Sequence, residues 1–213
     1  MSRRKSLITC SDIPAILGVG YISRQSLLKQ KNGITVPLSP FSQTLVQTGI
    51  DFEPSAFLLF RDLFVNNGKI ERNFRLIVSD TYPWFGGTPD ALWQTSDGIF
   101  PVELKCRVYP TIVCAFPPLA IQDIPLKYYL QVQGQIFLLN AAFGFLVLWT
   151  FCHGASIWRI EKDDLLWKNM ISPISHDFYM CLNSPLPIPP LPVSKSVISE
   201  RVMESLLGHC FNA

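Results

Sequence analysis

Charge is scarce in this chain. Only 16% of the 213 residues are charged, against 48% hydrophobic. Chains that stay unfolded combine low hydrophobicity with high net charge, so this composition excludes disorder for most of the length. Neither sign dominates: 18 Lys and Arg face 16 Asp and Glu, a net +2. Charge therefore neither requires nor excludes a nucleic-acid partner, because a local basic patch can sit inside a near-neutral sum. Histidine is rarer still (His153, His176, His209), and the cysteines (Cys10, Cys106, Cys114, Cys152, Cys181, Cys210) form no Cys-x-x-Cys pair and no zinc-type spacing with them. That argues against a zinc site and for reduced thiols in an intracellular compartment. No secretory signal is visible and none is expected, since the basic Met1–Lys5 runs into SLITCSD rather than a long apolar stretch. The longest apolar run, Ile136–Cys152, has 17 residues and is interrupted by Asn140 and Gly144. It is at the short limit for a membrane span, and a helix end running into a buried strand explains it better, so no membrane partner is expected. No internal repeat is present.

What is there reads as one α/β domain around a small mixed sheet flanked by helices. Ser11 or Asp12 can cap a first helix with Pro14 in its first turn. Ser26–Lys31 reads as a second, closed by Asn32-Gly33. A third opens at Glu53-Pro54 and ends at Asn67-Gly68. NFRLIVS is strand-like, and DALWQT, SDG and IFPVELKCRV form a hairpin, with Pro101 marking an edge or bulge. Residues 110–124 form a long proline-containing loop, a candidate functional loop. Pro125 starts a helix, FGFLVLWTF and SIWRIE are paired strands, and KDDLLWKNMISPISHDFYMCL is mainly helical. From Asn183 the composition shifts to Pro185, Pro187, Pro189, Pro190 and Pro192, an extended linker or tail, ending in a short amphipathic piece.

The chemistry gathers at the hairpin. Side chains alternate along VELKC, so Glu103 and Lys105 share one strand face while Val102, Leu104 and Cys106 share the core-facing other. Asp90 lies 13 residues before Glu103, and a turn near Ser96–Gly98 folds it back to that level. Two carboxylates and a lysine then converge. Such an oxygen set suits Mg²⁺ or Mn²⁺, which polarises a phosphate and activates water, while the lysine stabilises developing negative charge. A bare Glu-x-Lys triplet on an exposed strand would be only a surface ion pair of little consequence. The TPD segment at hairpin distance is what raises the chemical reading.

At these residues the chain resembles a family. TPD…ELK resembles the PD-(D/E)xK nuclease signature, and more narrowly that of the lambda-exonuclease-like, YqaJ-type viral recombinase nucleases. LITCSDIPAILG, TGIDFEPSA, GGTPDAL, VELKC and YYLQVQGQIFLL resemble the family's blocks in the same order, from Arg4 to Phe151, roughly 70% of the chain. The resemblance implies a restriction-endonuclease-like core over residues 1–183, with 184–213 as a proline-rich linker and short C-terminal helix or tail. It implies Asp90, Glu103 and the backbone carbonyl of Leu104 as metal ligands, Glu53 completing the site, Lys105 as the catalytic lysine and Gln131 approaching from the later helix. It also implies Ser11 and Arg4 as holders of a DNA 5′-phosphate. The chain departs from the family at Ala91, where a glycine is usual, and at Arg107, where a proline is usual.

Plainer readings stand beside these. Glu53 can simply favour a helix N-terminus, and Ser11 can be a helix cap. Arg107 can touch DNA phosphate or only end a strand. Gln131, Gln133 and Gln135 cannot all share one helix face, though Gln131 and Gln135 can. Tyr128 and Tyr129 can stack on bases or fill core. The leading expectation is a Mg²⁺-dependent (or Mn²⁺-dependent) deoxyribonuclease, a 5′→3′ exonuclease on double-stranded DNA ends in recombination or replication. The alternatives are an endonuclease on the same scaffold, a non-catalytic DNA-end binding module that recruits a single-strand annealing protein, and a structural protein with a chance motif. The phage enzyme works as a ring-shaped trimer, so the resemblance also raises homo-oligomerisation. Nucleus and cytoplasm both fit.

Overall fold

The structure, a computed structural model, describes residues 3–34, 37–107, 124–150, 154–182, 184 and 187–212. The chain runs through β1 (Ile8–Thr9), α1 (Ile13–Ile16), α2 (Arg24–Lys31), α3 (Pro40–Phe64), β2 (Lys69–Arg72), β3 (Ile77–Val78), β4 (Phe85–Gly87), β5 (Ala91–Thr95) and β6 (Gly98–Arg107). It continues through α4 (Leu126–Leu139), β7 (Phe143–Thr150), β8 (Gly154–Glu161), α5 (Asp164–Leu166), α6 (Ser172–Met180), α7 (Lys195–His209) and β9 (Cys210–Asn212).

The main sheet has the order β2-β5-β6-β7-β8-β9. Only β6 and β7 run parallel; the other neighbours are antiparallel. A parallel pair needs a crossover, and α4 supplies it. A small second sheet, β1-β4-β3, holds the N-terminal segment. This is the mixed α/β architecture that the alternation of sequence patterns implies, with helices on both faces.

Each face of the main sheet has its own core. On one side α3 packs Ala56 and Phe60 against Val102, Leu104, Phe145 and Val147. On the other, α4 packs Tyr129, Leu130 and Ile136 near Leu146, Leu148, Trp158 and Ile160. Each fully buried Val, Leu, Ile or Phe among them contributes about 1.5–3 kcal/mol of apolar transfer. The α1–α4 approach is close: a Cβ on Gly134 would lie 2.4 Å from Ile13 Cδ1, so the Ile13 side chain would have to shift to admit one. This places the N-terminal segment directly beside the helix that carries the glutamines.

Several local expectations change. The third helix does not open at Pro54. It begins at Pro40, and Pro54 lies inside it. Neither Ser11 nor Asp12 caps α1 with its side chain. The Asp12 carboxylate instead accepts from the N–H and hydroxyl of Thr9, each at 2.7 Å, and pairs with Lys31. The strand-like NFRLIVS contributes only Ile77–Val78, while the preceding KIER forms β2. Pro101 is on an interior strand, one residue before the β6–β7 register begins at Val102. There the missing N–H interrupts no parallel ladder bond. The long loop expected at 110–124 lies, apart from Ile124, outside the described residues.

The apolar run from Ile136 divides as expected into the end of α4 and strand β7, through a left-handed Asn140. Among the described residues no helix is long and apolar enough to cross a membrane. Cys10, Cys106, Cys181 and Cys210 are free thiols. In the C-terminal segment, α7 buries Ile198, Val202 and Leu206 in the same core as α4, and β9 pairs along the edge of β8.

Candidate active site

The β5–β6 hairpin aligns the acids. Its register pairs Ala91 with Val102, which puts Asp90 level with Glu103 just before β5 begins. The Pro89-Asp90 turn is fixed by Asn73, whose N–H donates to the Asp90 carbonyl at 2.9 Å and whose side-chain amide donates to the Pro89 carbonyl at 3.1 Å. Asp90 then turns its carboxylate onto the strand, and Oδ2 accepts the Leu104 N–H at 2.7 Å. In a strand, the N–H and C=O of one residue leave on the same side. The Leu104 carbonyl therefore also leaves on the Asp90 side, away from β7.

Glu103 does not lie on an exposed face. It is 1% exposed, covered by α4. Gln131 Nε2 donates to its Oε1 at 2.5 Å, Gln135 Nε2 donates to its Oε2, and Lys105 Nζ pairs with Oε1. A surface ion pair is thereby excluded: a buried carboxylate held by three donors is an organised anionic site. Burial first, and then the Glu103 carboxylate, push Asp90 up to about 8, against partial relief from Lys105 and the Leu104 N–H. Burial pulls on the Lys105 ammonium in the opposite sense, but Glu103 and Asp90 outweigh it and hold the lysine above its ordinary range. Burial, followed by the carboxylates of Glu53 and Asp90, also raises the Cys106 thiol to about 11.

A divalent cation suits this arrangement. Asp90, Glu103 and the Leu104 carbonyl offer an all-oxygen donor set, and Gln135 Oε1 is a buried acceptor without a hydrogen-bond partner. Glu53 comes from α3 and carries weight in the Asp90 and Cys106 electrostatics, yet its Oε2 is engaged by Arg72 Nη2 at 2.8 Å. Accordingly, no group of three or more His, Cys, Asp or Glu is assembled for a metal among the described residues. The structure brings together Asp90, Glu103, Lys105 and Gln131 but keeps Glu53 on an ion pair with Arg72.

A cleft of about 500 Å³ opens from Lys105 and Gln131 and is lined further out by Ser11, Tyr21, Lys127 and Tyr128. Ser11 stands exposed in its wall, 3.0 Å from the Thr9 hydroxyl. Arg4 belongs to the short 3-10 turn Arg3–Ser6, and its side chain lies outside the described residues, as does that of Arg107. Tyr129 is core and Tyr128 faces the cleft. Gln133 turns away from the site to Tyr129, Glu161 and Asp163.

Reading motifs alone missed Arg72, Asn73, Tyr21 and Lys127. Lys127 had a usable signal, since 127, 131 and 135 are four apart and lie on one helix face. Arg72 is hidden in a strand of alternating charge, and Tyr21 stands in a turn without a motif.

Comparisons with known proteins give the fold and the family. The family model described as the YqaJ-like viral recombinase domain matches residues 1–141. Among solved structures, the chain is similar to an alkaline exonuclease (LHK-Exo) from Laribacter hongkongensis, with a TM-score of 0.60, 18% identity, and 94% of this chain and 95% of that one covered. The complex of LHK-Exo with dAMP aligns with a TM-score of 0.61 and 20% identity over 94% and 95% of the two chains. A phage-related exonuclease from Haemophilus somnus 129PT aligns with a TM-score of 0.59 and 14% identity over 92% and 96%. No curated protein matches the chain. At these identities the structural likeness speaks for the fold, and the family model for descent: the chain belongs to the YqaJ-like viral recombinase domain family.

Proposed function

We propose that this protein is a metal-dependent deoxyribonuclease that hydrolyses phosphodiester bonds at double-stranded DNA ends in the 5′→3′ direction, with Mg²⁺ or Mn²⁺ as cofactor. The observation that carries the reading is the Ala91–Val102 register, which sets Asp90 beside a buried Glu103 and its lysine at the inner end of a cleft. Asp90, Glu103 and the Leu104 carbonyl would hold the cation. When bound, it would polarise the scissile phosphate and lower the pKa of water.

The other roles fall to the chain itself. Lys105, kept charged by Glu103 and Asp90, faces the negative charge that develops on phosphate oxygens. Gln131 and Gln135 fix the orientation of Glu103 so that its carboxylate needs no reorganisation. Ser11, on the cleft wall, offers a hydroxyl donor to a terminal phosphate. The fold is shared with exonucleases, one of them solved with a mononucleotide, dAMP. That is the size of product an end-dependent enzyme releases.

The test is digestion of linear, 5′-phosphorylated duplex DNA beside a closed circular control, with Mg²⁺ and with chelator. Linear DNA alone is expected to disappear, and only with metal. Lys105→Ala and Asp90→Asn are each expected to lower the rate by about 10²–10³-fold, the usual loss when one preorganised electrostatic contact is removed. Cutting of the circle would indicate an endonuclease. End binding without cutting under any metal would overturn the catalytic reading in favour of a binding module.

A further inference from the structure

The outer half of the cleft contains an arrangement that the metal site does not explain. Tyr21 is a large aromatic left 80% exposed. Lys127 Nζ lies 3.3 Å from its ring centroid and 5.0 Å from that of Tyr128. The two tyrosine hydroxyls are 3.4 Å apart. On the inner side, Lys105 Nζ is 5.5 Å from the Tyr128 ring. The cleft is thus walled by a run of lysine, tyrosine, lysine, tyrosine leading outward from the catalytic lysine.

The mounting of Tyr21 is firm. The preceding Gly20 lies against the backbone of α1, where a Cβ would come within 2.6 Å of the Ala15 nitrogen and 2.9 Å of its Cα. Only glycine allows that approach, so the turn carrying Tyr21 is pressed onto the helix lining the cleft. An aromatic ring held on a rigid base, exposed, with a cation against it, is poorly explained as core packing. It has the composition of a site for a stacked base beside a phosphate. The cleft, at about 500 Å³, falls in the usual size range for small-molecule sites.

We propose that this cleft seats the terminal nucleotide of a DNA strand, with Tyr21 as the stacking platform for its base and Lys127 as a cation for the backbone phosphate. This rests on the nuclease reading above and adds to it the recognition of the end. Every base has a π face, so the platform takes a terminal nucleotide of any sequence. Tyr21 is a binding residue, and Tyr128 positions both lysines.

The experiment measures binding of 5′-phosphorylated duplex ends in chelator by fluorescence anisotropy, for the full chain and for Tyr21→Ala, Tyr21→Trp and Lys127→Ala. Tyr21→Ala is expected to weaken binding about 5- to 100-fold and Tyr21→Trp to retain it. On a duplex whose terminal nucleotide is abasic, wild type is expected to bind as weakly as Tyr21→Ala, and the substitution to add nothing. Lys127→Ala is expected to weaken all ends alike and to reduce the slope of log K against log salt by about 1. Binding by Tyr21→Ala within twofold of wild type, or an equal loss on the abasic end, would overturn the platform. Metal-dependent digestion by wild type, assayed in parallel, keeps that failure separate from a failure of the nuclease reading, in which wild type does not cut linear DNA.

Discussion

Glu103 shows how much of this site is made by neighbours the motif does not contain. Gln131 and Lys105 both engage Oε1, and among the described residues Gln135 alone engages Oε2. Removing Gln135 would leave one oxygen of a fully buried carboxylate without its donor. Gln135→Leu, which fills similar volume, is therefore expected to destabilise the protein by about 1.5–3 kcal/mol, the range for hydrogen bonds to charged groups. The substitution also frees the carboxylate to rotate. Supporting residues of this kind typically cost about 10–100-fold in metal affinity when lost, and that range is expected here for Mn²⁺. Urea unfolding and calorimetric Mn²⁺ titration measure the two effects separately. An unchanged metal affinity alongside lowered stability would make Gln135 a packing residue only.

Helix α3 is the element where sequence reading and structure part most clearly. Glu53-Pro54 looks like a helix start because proline is at home in a first turn, where its missing N–H is not needed. The stretch before it, PFSQTLVQTGI, is rich in threonine and glutamine and reads as a connection. In the structure it is helix, with Phe41, Val46 and Ile50 left exposed. Pro54 then lacks the N–H that would bond the Ile50 carbonyl. Pro54→Ala restores that bond and is expected to raise stability by about 1–2 kcal/mol, after allowing for the freer unfolded chain. A shift of the urea midpoint to higher concentration would record it, and a lower midpoint would mean that the ring's own packing outweighs the bond. The strand β2 was hidden for a different reason: alternating charge in KIER gives no apolar face, and only pairing with β5 makes it a strand. By contrast, the hairpin was legible because turn residues, alternation and register all agree from Ala91 to Arg107. The same agreement made Asp90, Glu103 and Lys105 readable as one group. Helix spacing made Gln131 and Gln135 readable together. Burial of Glu103 and the Glu53–Arg72 pair depend on which helix covers which face, and nothing local in the sequence states that.

At the scale of the whole molecule, the far C-terminus bears on the site without touching it. The proline-rich composition after Asn183 suggests an extended linker or tail ending in a short helix, and the helix there, α7, buries Ile198, Val202 and Leu206 against the core that includes α4. A polar seam fastens it: the Ser205 hydroxyl bonds both Tyr129 and Asp163, and Gln133 bonds the Tyr129 hydroxyl at 3.0 Å. Helix α4 is thus held from two sides, by α7 through Tyr129 and Gln133, and by Glu103 through Gln131 and Gln135. Loosening the first grip should disturb the second. Leu206→Ala, which opens a cavity at a fully buried position, is expected to cost about 2–5 kcal/mol. Under conditions where the variant remains folded, it is also expected to bind Mn²⁺ more weakly than wild type, although no residue near the carboxylates has changed. Paired urea unfolding and Mn²⁺ calorimetry would check this. Lowered stability with an unaltered metal affinity would show that α4 holds its glutamines in place without help from α7, and that the C-terminal helix only closes the core.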